Sequence, residues 1–452
     1  MTNIIILGAG ISGLSAGIKL LERGCSVIIL EQSLEIGGLA KTEVKGDYRL
    51  DVGPHFITSQ NNAVLREILD LFEPDELTSF SRHAKILFDD RYLDYPLTAK
   101  NVLLQMGFRH AFFASMSYLL TAINRVLLAR AEVVTFEDWA KKNFGLYLYQ
   151  LFFKPYTEQF WGISCDRLSV DCIPLVTKMS FLKTLKMLFV SKFEKDSLSI
   201  AERETTLPLH YPLKGFGEVA RKLATKFELL GGVALRGCDI LSLDCNVESQ
   251  FQVRYRYEGK ELSEAASNVV STIPISSLVG LLRPKVPKII LERAMSLDYL
   301  SVIVVYLVIG DRDVFDCSYL YILGKPYNRM SNTRRFCPEL CPKDENMLAL
   351  EITCKYNDDI WSQDDEALSE LCIQNLVADK FLERCEVKKF FVVRKRFAYP
   401  FYTTEYKESL NEINSFLGEI KNLAATGRTG AFKYMDIDQC IEDSSNLARR
   451  LL

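Results

Sequence analysis

The stretch Ile4-Ile5-Ile6-Leu7-Gly8-Ala9-Gly10-Ile11-Ser12-Gly13 places four apolar residues directly before a Gly-x-Gly-x-x-Gly motif. Such an apolar run is typical of a strand that is buried on both faces of a parallel sheet. Residues 14–23 are compatible with a helix that ends at Gly24. A second apolar strand then runs over residues 27–30 and is followed by Glu31. The pattern predicts a strand, turn, helix, strand unit that binds a dinucleotide.

The glycines and the acid of this unit have distinct physical roles. Gly8 permits a tight turn, Gly10 lets the backbone approach a pyrophosphate, and Gly13 allows the helix to pack closely. The helix N-terminus supplies amide donors to the anion. Glu31 lies where an acid accepts hydrogen bonds from ribose hydroxyls. The predicted cofactor contacts here are Gly8, Gly10, Ile11, Ser12, Gly13, Glu31 and Gln32.

Two further segments favour FAD over NAD as the dinucleotide. Residues 35–42 (Glu-Ile-Gly-Gly-Leu-Ala-Lys-Thr) follow the acid, and residues 50–56 (Leu-Asp-Val-Gly-Pro-His-Phe) come next. Together they resemble the extended FAD signature of flavin amine oxidases, protoporphyrinogen oxidases, phytoene desaturases and UDP-galactopyranose mutases. Paired glycines let the chain pass a flavin pyrophosphate without side-chain clash. The predicted contacts here are Gly37, Gly38, Leu39, Ala40, Gly53, Pro54, His55 and Phe56.

Three later segments agree with an FAD site. Residues 232–235 predict a strand that contacts adenine, and residues 269–274 end a strand at the cofactor. Residues 425–430 form a glycine turn before the helix-initiating run 436–439, an arrangement suited to the ribityl, phosphate or pyrimidine side of a flavin. These segments add Val233, Thr272, Gly427, Arg428, Met435, Asp436 and Ile437 to the predicted cofactor contacts.

The spacing of the cofactor segments predicts an α/β protein with a discontinuous Rossmann-type FAD-binding domain. That domain is expected at residues 1–85, 205–280 and 405–452, with an α+β substrate-binding domain at residues 86–204 and 281–404. The active site is expected between the two domains, because ligands of open α/β sheets gather at the carboxyl ends of the strands.

Periodicity predicts the contents of the substrate-binding domain. We expect helices mainly within residues 100–200 and an antiparallel sheet around residues 296–310, 318–324 and 346–354.

A longer string carries a narrower resemblance. Residues 136–139 (Phe-Glu-Asp-Trp) and 148–162 (Leu-Tyr-Gln-Leu-Phe-Phe-Lys-Pro-Tyr-Thr-Glu-Gln-Phe-Trp-Gly) are similar to the corresponding stretch of UDP-galactopyranose mutases and their relatives. The similarity covers nearly the whole chain in order. It continues through residues 92–97, 211–215, 319–321, 329, 398–400 and 427–439.

The resemblance implies a reaction and a set of roles. Such mutases use N5 of reduced flavin as a nucleophile on a UDP-sugar and change its ring size, in surface polysaccharide biosynthesis. His55 matches a histidine whose loop lies against the flavin, and Arg329 matches an arginine that forms forked hydrogen bonds to phosphate. Both are predicted catalytic residues. The predicted substrate contacts are Tyr156, Lys178, Tyr319, Tyr321, Arg329, Tyr399 and Tyr434.

One departure concerns a second substrate arginine, which the family places about fourteen residues after Gly162. Residues 174–178 read Pro-Leu-Val-Thr-Lys and contain no arginine. Lys178 supplies a point charge without the planar fork, so the resemblance favours a phosphate-bearing sugar without specifying UDP-galactose.

Two alternatives remain open. The first is an oxidoreductase similar to amine or protoporphyrinogen oxidases, although residues 299–309 lack the lysine that amine oxidases place near N5. The second is a non-catalytic carrier on the same fold, like the Rab escort proteins.

Composition and the first residues indicate which partners and which cellular compartment to expect. A net charge of −3 with interspersed signs gives no general attraction to nucleic acid. The four histidines are far apart, and no metal site is predicted. The N-terminus enters a strand without a charged leader, which favours the cytoplasm. The oligomeric state is not predicted.

The longest apolar stretch, residues 102–129, is interrupted by polar and charged side chains, so it is not expected to span a bilayer. We expect an amphipathic helical pair that packs inward, with contact to a membrane surface as the less favoured alternative.

Overall fold

The computed structural model describes residues 2–88, 91–95, 108–127, 132–173, 208–245, 250–283 and 286–451. The α-helices are α1 (Ile11–Leu21), α2 (Asn62–Leu69), α3 (Phe108–Leu127), α4 (Phe136–Leu148), α5 (Lys154–Trp161), α6 (Gly217–Leu229), α7 (Ile275–Leu281), α8 (Lys288–Ser296), α9 (Asp365–Ala378), α10 (Tyr406–Glu419), α11 (Gly427–Gly430) and α12 (Ile437–Arg450). The strands are β1 (Asn3–Leu7), β2 (Ser26–Glu31), β3 (Thr42–Lys45), β4 (Tyr48–Asp51), β5 (Leu77–Phe80), β6 (Ala84–Phe88), β7 (Arg91–Tyr95), β8 (Leu209–Pro212), β9 (Val233–Arg236), β10 (Asp239–Cys245), β11 (Phe251–Tyr257), β12 (Lys260–Ala266), β13 (Asn268–Ser271), β14 (Leu282–Arg283), β15 (Tyr299–Gly310), β16 (Tyr319–Ile322), β17 (Arg329–Asn332), β18 (Glu345–Lys355), β19 (Lys389–Pro400) and β20 (Leu423–Ala425).

A parallel sheet of five strands, within the described residues, has the order β20-β13-β1-β2-β9. All four neighbouring pairs are parallel. The strand, turn, helix, strand unit predicted at the N-terminus is confirmed as β1, α1 and β2. The remaining strands of this sheet come from the middle and the end of the chain, so the sheet is discontinuous in sequence as predicted.

The close packing of α1 against β1 requires glycine at two positions, one in the turn and one in the helix. Gly8 has a φ of +101°, which side-chain-bearing residues rarely adopt. A Cβ on Gly13 would lie 2.0 Å from the carbonyl oxygen of Gly8, so α1 packs on the strand only without a side chain there. The packing role predicted for Gly13 follows directly from this contact.

The second large sheet has seven strands in the described ranges, in the order β19-β15-β18-β17-β16-β6-β7. The predicted strands near residues 300, 320 and 350 are confirmed as β15, β16 and β18, and β15 pairs antiparallel with β18 and β19. The sheet is larger than predicted because β6, β7, β17 and β19 extend it, with β6 parallel to β16. The fold class is therefore mixed α/β with several sheets, as predicted.

A buried carboxylate on β4 links the β3–β4 hairpin to β8 and to β15 of the seven-stranded sheet. Asp51 accepts hydrogen bonds from the hydroxyls of Thr42 and Tyr211. It also accepts one from the Phe216 amide at 3.2 Å. From β15, the Tyr306 hydroxyl donates to the Asp51 carbonyl oxygen at 2.7 Å. Burial raises the pKa of Asp51 to about 6, although these donors oppose the shift.

This shift predicts a pH dependence of stability that Asp51→Asn removes. Because the pKa of the folded state lies above the ordinary value of 3.8, stability from this group is full below pH 4 and is lost as the pH rises through 6. We expect the free energy of unfolding of the wild type, relative to Asp51→Asn, to fall by about 3 kcal/mol between pH 4 and pH 7. Urea unfolding of both proteins at several pH values measures this difference, and a relative stability that rises over this interval would contradict it.

The region around residues 100–200 is mainly helical where it is described. Helix α3 packs on α4, where the Tyr147 amide donates to Ser117 Oγ at 3.1 Å and the Tyr147 hydroxyl lies 2.7 Å from His110 Nδ1. The described part of residues 102–129 is the single helix α3, not the expected helical pair, and one face of it packs inward as expected. The opposite face is exposed, which the packing expectation did not include. Among the helices of the described ranges, none has the length and apolar character needed to cross a bilayer.

Candidate functional site

A first cavity of about 640 Å³ lies where β1, β2 and β13 end. Ligands of parallel sheets bind at this edge because strand ends and helix N-termini converge there. Most of the predicted cofactor residues line it. They are Gly8, Gly10, Ile11, Ser12, Glu31, Gln32, Gly37, Gly38, Leu39, Ala40, His55, Thr272, Gly427, Arg428, Met435 and Ile437.

Other predicted cofactor residues lie elsewhere. Gly13 lies against Gly8, and a Cβ on Gly53 would lie 2.9 Å from Glu351 Oε2. Pro54, Phe56 and Asp436 line a second cavity, described below.

The expected adenine contact at Val233 is corrected by the structure, since Val233 does not line the first cavity and is 48% exposed. The strand continues to Arg236 before the chain turns back, so residues 238–240 line the cavity instead. The amide of Cys238 donates to the Glu31 carbonyl oxygen at 2.8 Å, which holds this segment beside β2.

The first cavity has the features that FAD requires. A Cβ on Gly10 would meet no atom within 4 Å, so the backbone borders open space at the N-terminus of α1. Glu31 accepts hydrogen bonds from the amides of Ala9 at 2.7 Å and Ser33 at 2.8 Å. Each carboxylate oxygen keeps a second lone pair for a ribose hydroxyl. These groups would hold the ADP part of the cofactor.

The two ends of the chain meet at this cavity. Gly427 has a φ of +80°, and a Cβ there would lie 2.5 Å from Ser12 Oγ at the start of α1. The Thr429 hydroxyl donates to the Thr272 carbonyl oxygen at 2.9 Å, and the Thr272 hydroxyl donates to that of Leu7 at the same distance. The glycine turn near the C-terminus is therefore part of the cavity wall, as predicted.

A second cavity of about 470 Å³ adjoins the first, and both are lined by His55, Arg428 and Ile437. It brings together all predicted substrate residues that the structure describes. They are Tyr156, Tyr319, Tyr321, Arg329, Tyr399 and Tyr434. The predicted contact Lys178 lies outside the described residues.

Arg329 and Glu351 form a forked ion pair in the second cavity. The Nε and Nη2 atoms of Arg329 lie 2.5 and 2.6 Å from the two carboxylate oxygens of Glu351. Burial disfavours the charged guanidinium, but the charge of Glu351 outweighs this and raises the pKa of Arg329. The Arg329 guanidinium lies 5.7 Å from the centre of the Tyr319 ring. Arg329 is thus a fixed cation with donors directed by its partner.

Glu351 is a site residue that the sequence reasoning missed. It follows the apolar residues 347–350 on β18 and is 5% exposed. An acidic residue within a buried apolar strand is rarely tolerated without a partner, so this interruption was an available signal.

Arg428 is a second fixed cation, at the boundary between the cavities. Its Nε and Nη2 atoms donate to the Met435 carbonyl oxygen at 2.9 and 2.6 Å. Its guanidinium lies 4.8 Å from the centre of the Tyr434 ring, whose hydroxyl donates to Asp436 at 2.9 Å. The predicted run 436–439 forms a capping box at the start of α12, which holds these groups in place.

Arg82 is a third cation in the second cavity and was also missed. It lies between β5 and β6, where the sequence carries no recognisable motif. Its charge acts on the Tyr95 phenol, and the rings of Tyr95 and Tyr321 lie 4.9 Å apart. Tyr319 in turn lies 5.7 Å from Tyr321, so an aromatic wall extends from the Arg82 side of the cavity to Arg329.

His55 is neutral at the boundary of the two cavities. Burial lowers the pKa of His55 to about 4, with help from the charges of Arg428 and Arg329. Its Nδ1 lies 3.1 Å from the Gly53 carbonyl oxygen, so the neutral ring donates its proton there and leaves Nε2 as an acceptor.

The lowered pKa predicts a pH dependence opposite in sign to that of Asp51. Because the pKa of the folded state lies below the ordinary 6.5, stability from neutral His55 is full above pH 6.5 and is lost as the pH falls through 4. We expect the stability of the wild type relative to His55→Gln to fall by about 3 kcal/mol over this interval. Urea unfolding from pH 7 to pH 4 tests it, and a difference that stays constant with pH would show that His55 titrates normally.

Comparison with known proteins agrees with the motifs and the geometry. Residues 11–430 match the family model for flavin containing amine oxidoreductases. A segment of 180 residues, 38% of this chain, is 27% identical to a Klebsiella pneumoniae protein named "Probable UDP-galactopyranose mutase" and covers 44% of it. The chain thus spans less than half of the length of this curated relative.

Solved structures show the same fold. A reduced UDP-galactopyranose mutase superposes with a TM-score of 0.81 at 17% identity, over 100% of this chain and 95% of that one. A putrescine oxidase with redesigned cofactor binding superposes with a TM-score of 0.67 at 15% identity, over 99% and 98% of the two chains. The family match extends over most of the chain and includes the first cavity. The chain is an FAD-dependent enzyme of the flavin-containing amine oxidoreductase family.

Proposed function

We propose that this enzyme acts on a phosphate-bearing sugar at the N5 edge of FAD, in the manner of a UDP-galactopyranose mutase. The observation that supports this most is the second cavity, which adjoins the cofactor cavity at His55 and Arg428 and contains Arg82 and Arg329. We propose that the reaction is a ring isomerisation of this sugar and that it serves polysaccharide biosynthesis in the cytoplasm.

The polar groups of the second cavity match the two ends of such a substrate. Three arginines and several tyrosines line it, and protonated phenols and guanidinium groups are good donors to phosphate. Burial raises the pKa of Tyr156 and of Tyr399, so both phenols stay protonated. Carboxylates and amides that accept and donate to sugar hydroxyls line the cavity as well. They include Asn61, Asp438, Gln439 and Glu442.

Arg82 compensates for the arginine that residues 174–178 lack. A diphosphate carries charge on both phosphates, and a single buried arginine does not reach all of its oxygens. Arg329 and Arg82 line one cavity and are separated by the tyrosines 319 and 321. We propose that the two arginines bind the phosphates together, without requiring Lys178.

The bound flavin supplies the reactive N5 atom, and the residues of this chain orient the substrate. Arg329 holds a phosphate in place, and Glu351 fixes the orientation of Arg329 through both of its carboxylate oxygens. His55 holds its proton on Nδ1 toward Gly53, so it presents an acceptor rather than a charge at the boundary.

An oxidoreductase is the second candidate, and Lys395 favours it. This lysine lines the cofactor cavity from β19, at the position paired with Val302 of β15. Amine oxidases place a lysine near N5, and β15 itself contains none. Lys395 lies 3.4 Å from Glu43, so its ammonium is held at the cavity wall.

One experiment separates the two candidates. The purified protein is reduced with dithionite without oxygen, incubated with UDP-galactose and other nucleotide sugars, and the products are separated by chromatography. We expect an isomerised sugar nucleotide without net oxidation of the flavin. Turnover only with oxidised flavin, together with release of peroxide, would contradict the proposal and support the oxidoreductase.

A further inference from the structure

We propose that the exposed face of helix α3 docks on the surface of an anionic lipid bilayer. The face is formed by large apolar side chains that are between 43% and 59% exposed. They are Phe112, Phe113, Met116, Leu119, Leu120 and Ile123. At 3.6 residues per turn they lie within an arc of about 120°. A contiguous exposed apolar face of this kind marks an interaction site.

The other side of α3 explains why this face stays outward. Ala114 is buried, and Ser117 and Thr121 lie against Gly145 of α4, where an added Cβ would be within 3 Å of both. His110 and Ser117 also contact Tyr147. The side of α3 that carries small and polar residues therefore packs on α4, and this packing fixes the orientation of α3.

The charges of the segment indicate the chemistry of the partner. From residue 95 to residue 131 the sequence contains Lys100, Arg109, Arg125 and Arg130 and no aspartate or glutamate. At the average of the chain, a stretch of this length would contain about five acidic residues. Of these basic residues, Arg109 is described as exposed, and a basic residue beside an apolar helix face is attracted to anionic headgroups by about 1 kcal/mol near the surface.

The same charges disfavour a second copy of this chain as the occupant. Two copies related by a two-fold axis would bring identical faces together. Helix α3 contains no aspartate or glutamate, so neither face would supply an acidic partner for the exposed Arg109 of the other copy. A bilayer with anionic headgroups provides both an apolar layer and the opposite charge.

The geometry favours binding along the surface. Helix α3 has 20 residues and is about 30 Å long, and it is not apolar enough to cross a bilayer. Arg109 is exposed at the N-terminal end of the face, where it reaches headgroups while the phenylalanines enter the acyl boundary. Helix α4, on which α3 packs, leads into α5, and α5 carries Tyr156 of the second cavity. Docking through α3 therefore anchors the protein by a helix that is linked to the second cavity through α4 and α5.

Vesicle flotation of the flavin-loaded protein tests this inference. The probes are vesicles of phosphatidylcholine alone and vesicles of equal parts phosphatidylcholine and phosphatidylglycerol, and flavin absorbance reports the protein in each fraction. We expect the wild type to float with the anionic vesicles, about tenfold or more above its binding to the neutral ones, and to be released by salt.

A pair of double variants isolates the face. Leu120→Glu with Ile123→Glu places two acids on exposed positions of α3, and we expect vesicle binding to fall about tenfold or more. The matched control, Leu229→Glu with Met295→Glu, changes side chains that are 82% and 84% exposed elsewhere and should bind like the wild type. Both variants should keep the flavin spectrum.

Three results would overturn the inference. The wild type remains at the bottom of the gradient with anionic vesicles, or the α3 variant floats as well as the wild type. In the third, the wild type does not bind vesicles, and sedimentation velocity shows a dimer that the α3 variant loses and the control variant keeps. That result would assign the face to a second copy of the chain.

Discussion

Replacing Arg329 with glutamine is expected to weaken the binding of a nucleotide sugar by about a hundredfold or more while FAD stays bound. Charge-assisted hydrogen bonds to phosphate contribute about 1.5–3 kcal/mol each. Glu351 occupies Nε and one Nη2 proton of Arg329, and the Nη1 protons and the second Nη2 proton remain for two bonds to phosphate. Arg329 lines the second cavity and not the first, so the flavin contacts are left in place. Quenching of flavin fluorescence during ligand titration measures the affinity, and loss of the yellow colour would contradict the assigned position.

Glu351, the buried partner of Arg329, affects the stability of the single variant, and replacing both residues provides the control. Removing the arginine leaves the Glu351 carboxylate buried without its forked partner, which destabilises a protein by about 3–5 kcal/mol. The double variant Arg329→Gln with Glu351→Gln removes both charges and should recover most of the stability. We expect it to remain deficient in binding. If the double variant binds the sugar nucleotide normally, Arg329 acts only in folding.

Gly10→Ala is expected to separate cofactor binding from folding. The backbone of Gly10 has φ −76° and ψ 178°, which alanine adopts without strain, and a Cβ there meets no atom within 4 Å. Stability of the apoprotein should stay the same or rise by about 0.4–1 kcal/mol, because alanine restricts the unfolded chain. The affinity for FAD should fall about tenfold or more, because the methyl group occupies the path of the pyrophosphate. Thermal unfolding of the apoprotein and FAD titration measure the two effects.

Two other glycines serve as controls for Gly10. In Gly13→Ala the Cβ would lie 2.0 Å from the Gly8 carbonyl oxygen, so we expect the fold itself to lose stability. Gly418 lies in α10 away from both cavities, and its Cβ would meet no atom within 4 Å, so Gly418→Ala should leave FAD binding unchanged. Unchanged FAD affinity in Gly10→Ala would show that the cofactor does not pass this point.

Much of the cofactor site could be predicted because its chemistry depends on the backbone. Glycines at positions 8, 10 and 427 are needed where the chain turns sharply or borders the ligand, and this requirement is visible in sequence. The run of apolar residues in β1 likewise identifies a strand buried on both faces. The family and the FAD cofactor followed from these local features, and the family match confirms them.

The second cavity depends on contacts between distant side chains, so less of it could be predicted. Glu351 becomes a site residue because β17 and β18 pair Arg329 directly opposite it. Arg82 reaches the cavity because β6 joins the sheet beside β16, a pairing between segments more than 200 residues apart. The prediction of Val233 assumed that strand β9 itself contacts adenine. The residues that line the first cavity are instead 238–240, which follow the turn after β9. None of these pairings has a local sequence pattern.

The contact between Gly427 and Ser12 has a consequence for biosynthesis. The cofactor cavity acquires its last lining residues from the turn at Gly427 and from Met435, Ile437 and Cys440, which follow it, some four hundred residues after the first glycine motif leaves the ribosome. A nascent chain therefore has no complete flavin pocket until translation has passed this turn. The partly made protein must stay folded or chaperoned as an apoprotein, and premature termination before Gly427 yields a colourless product.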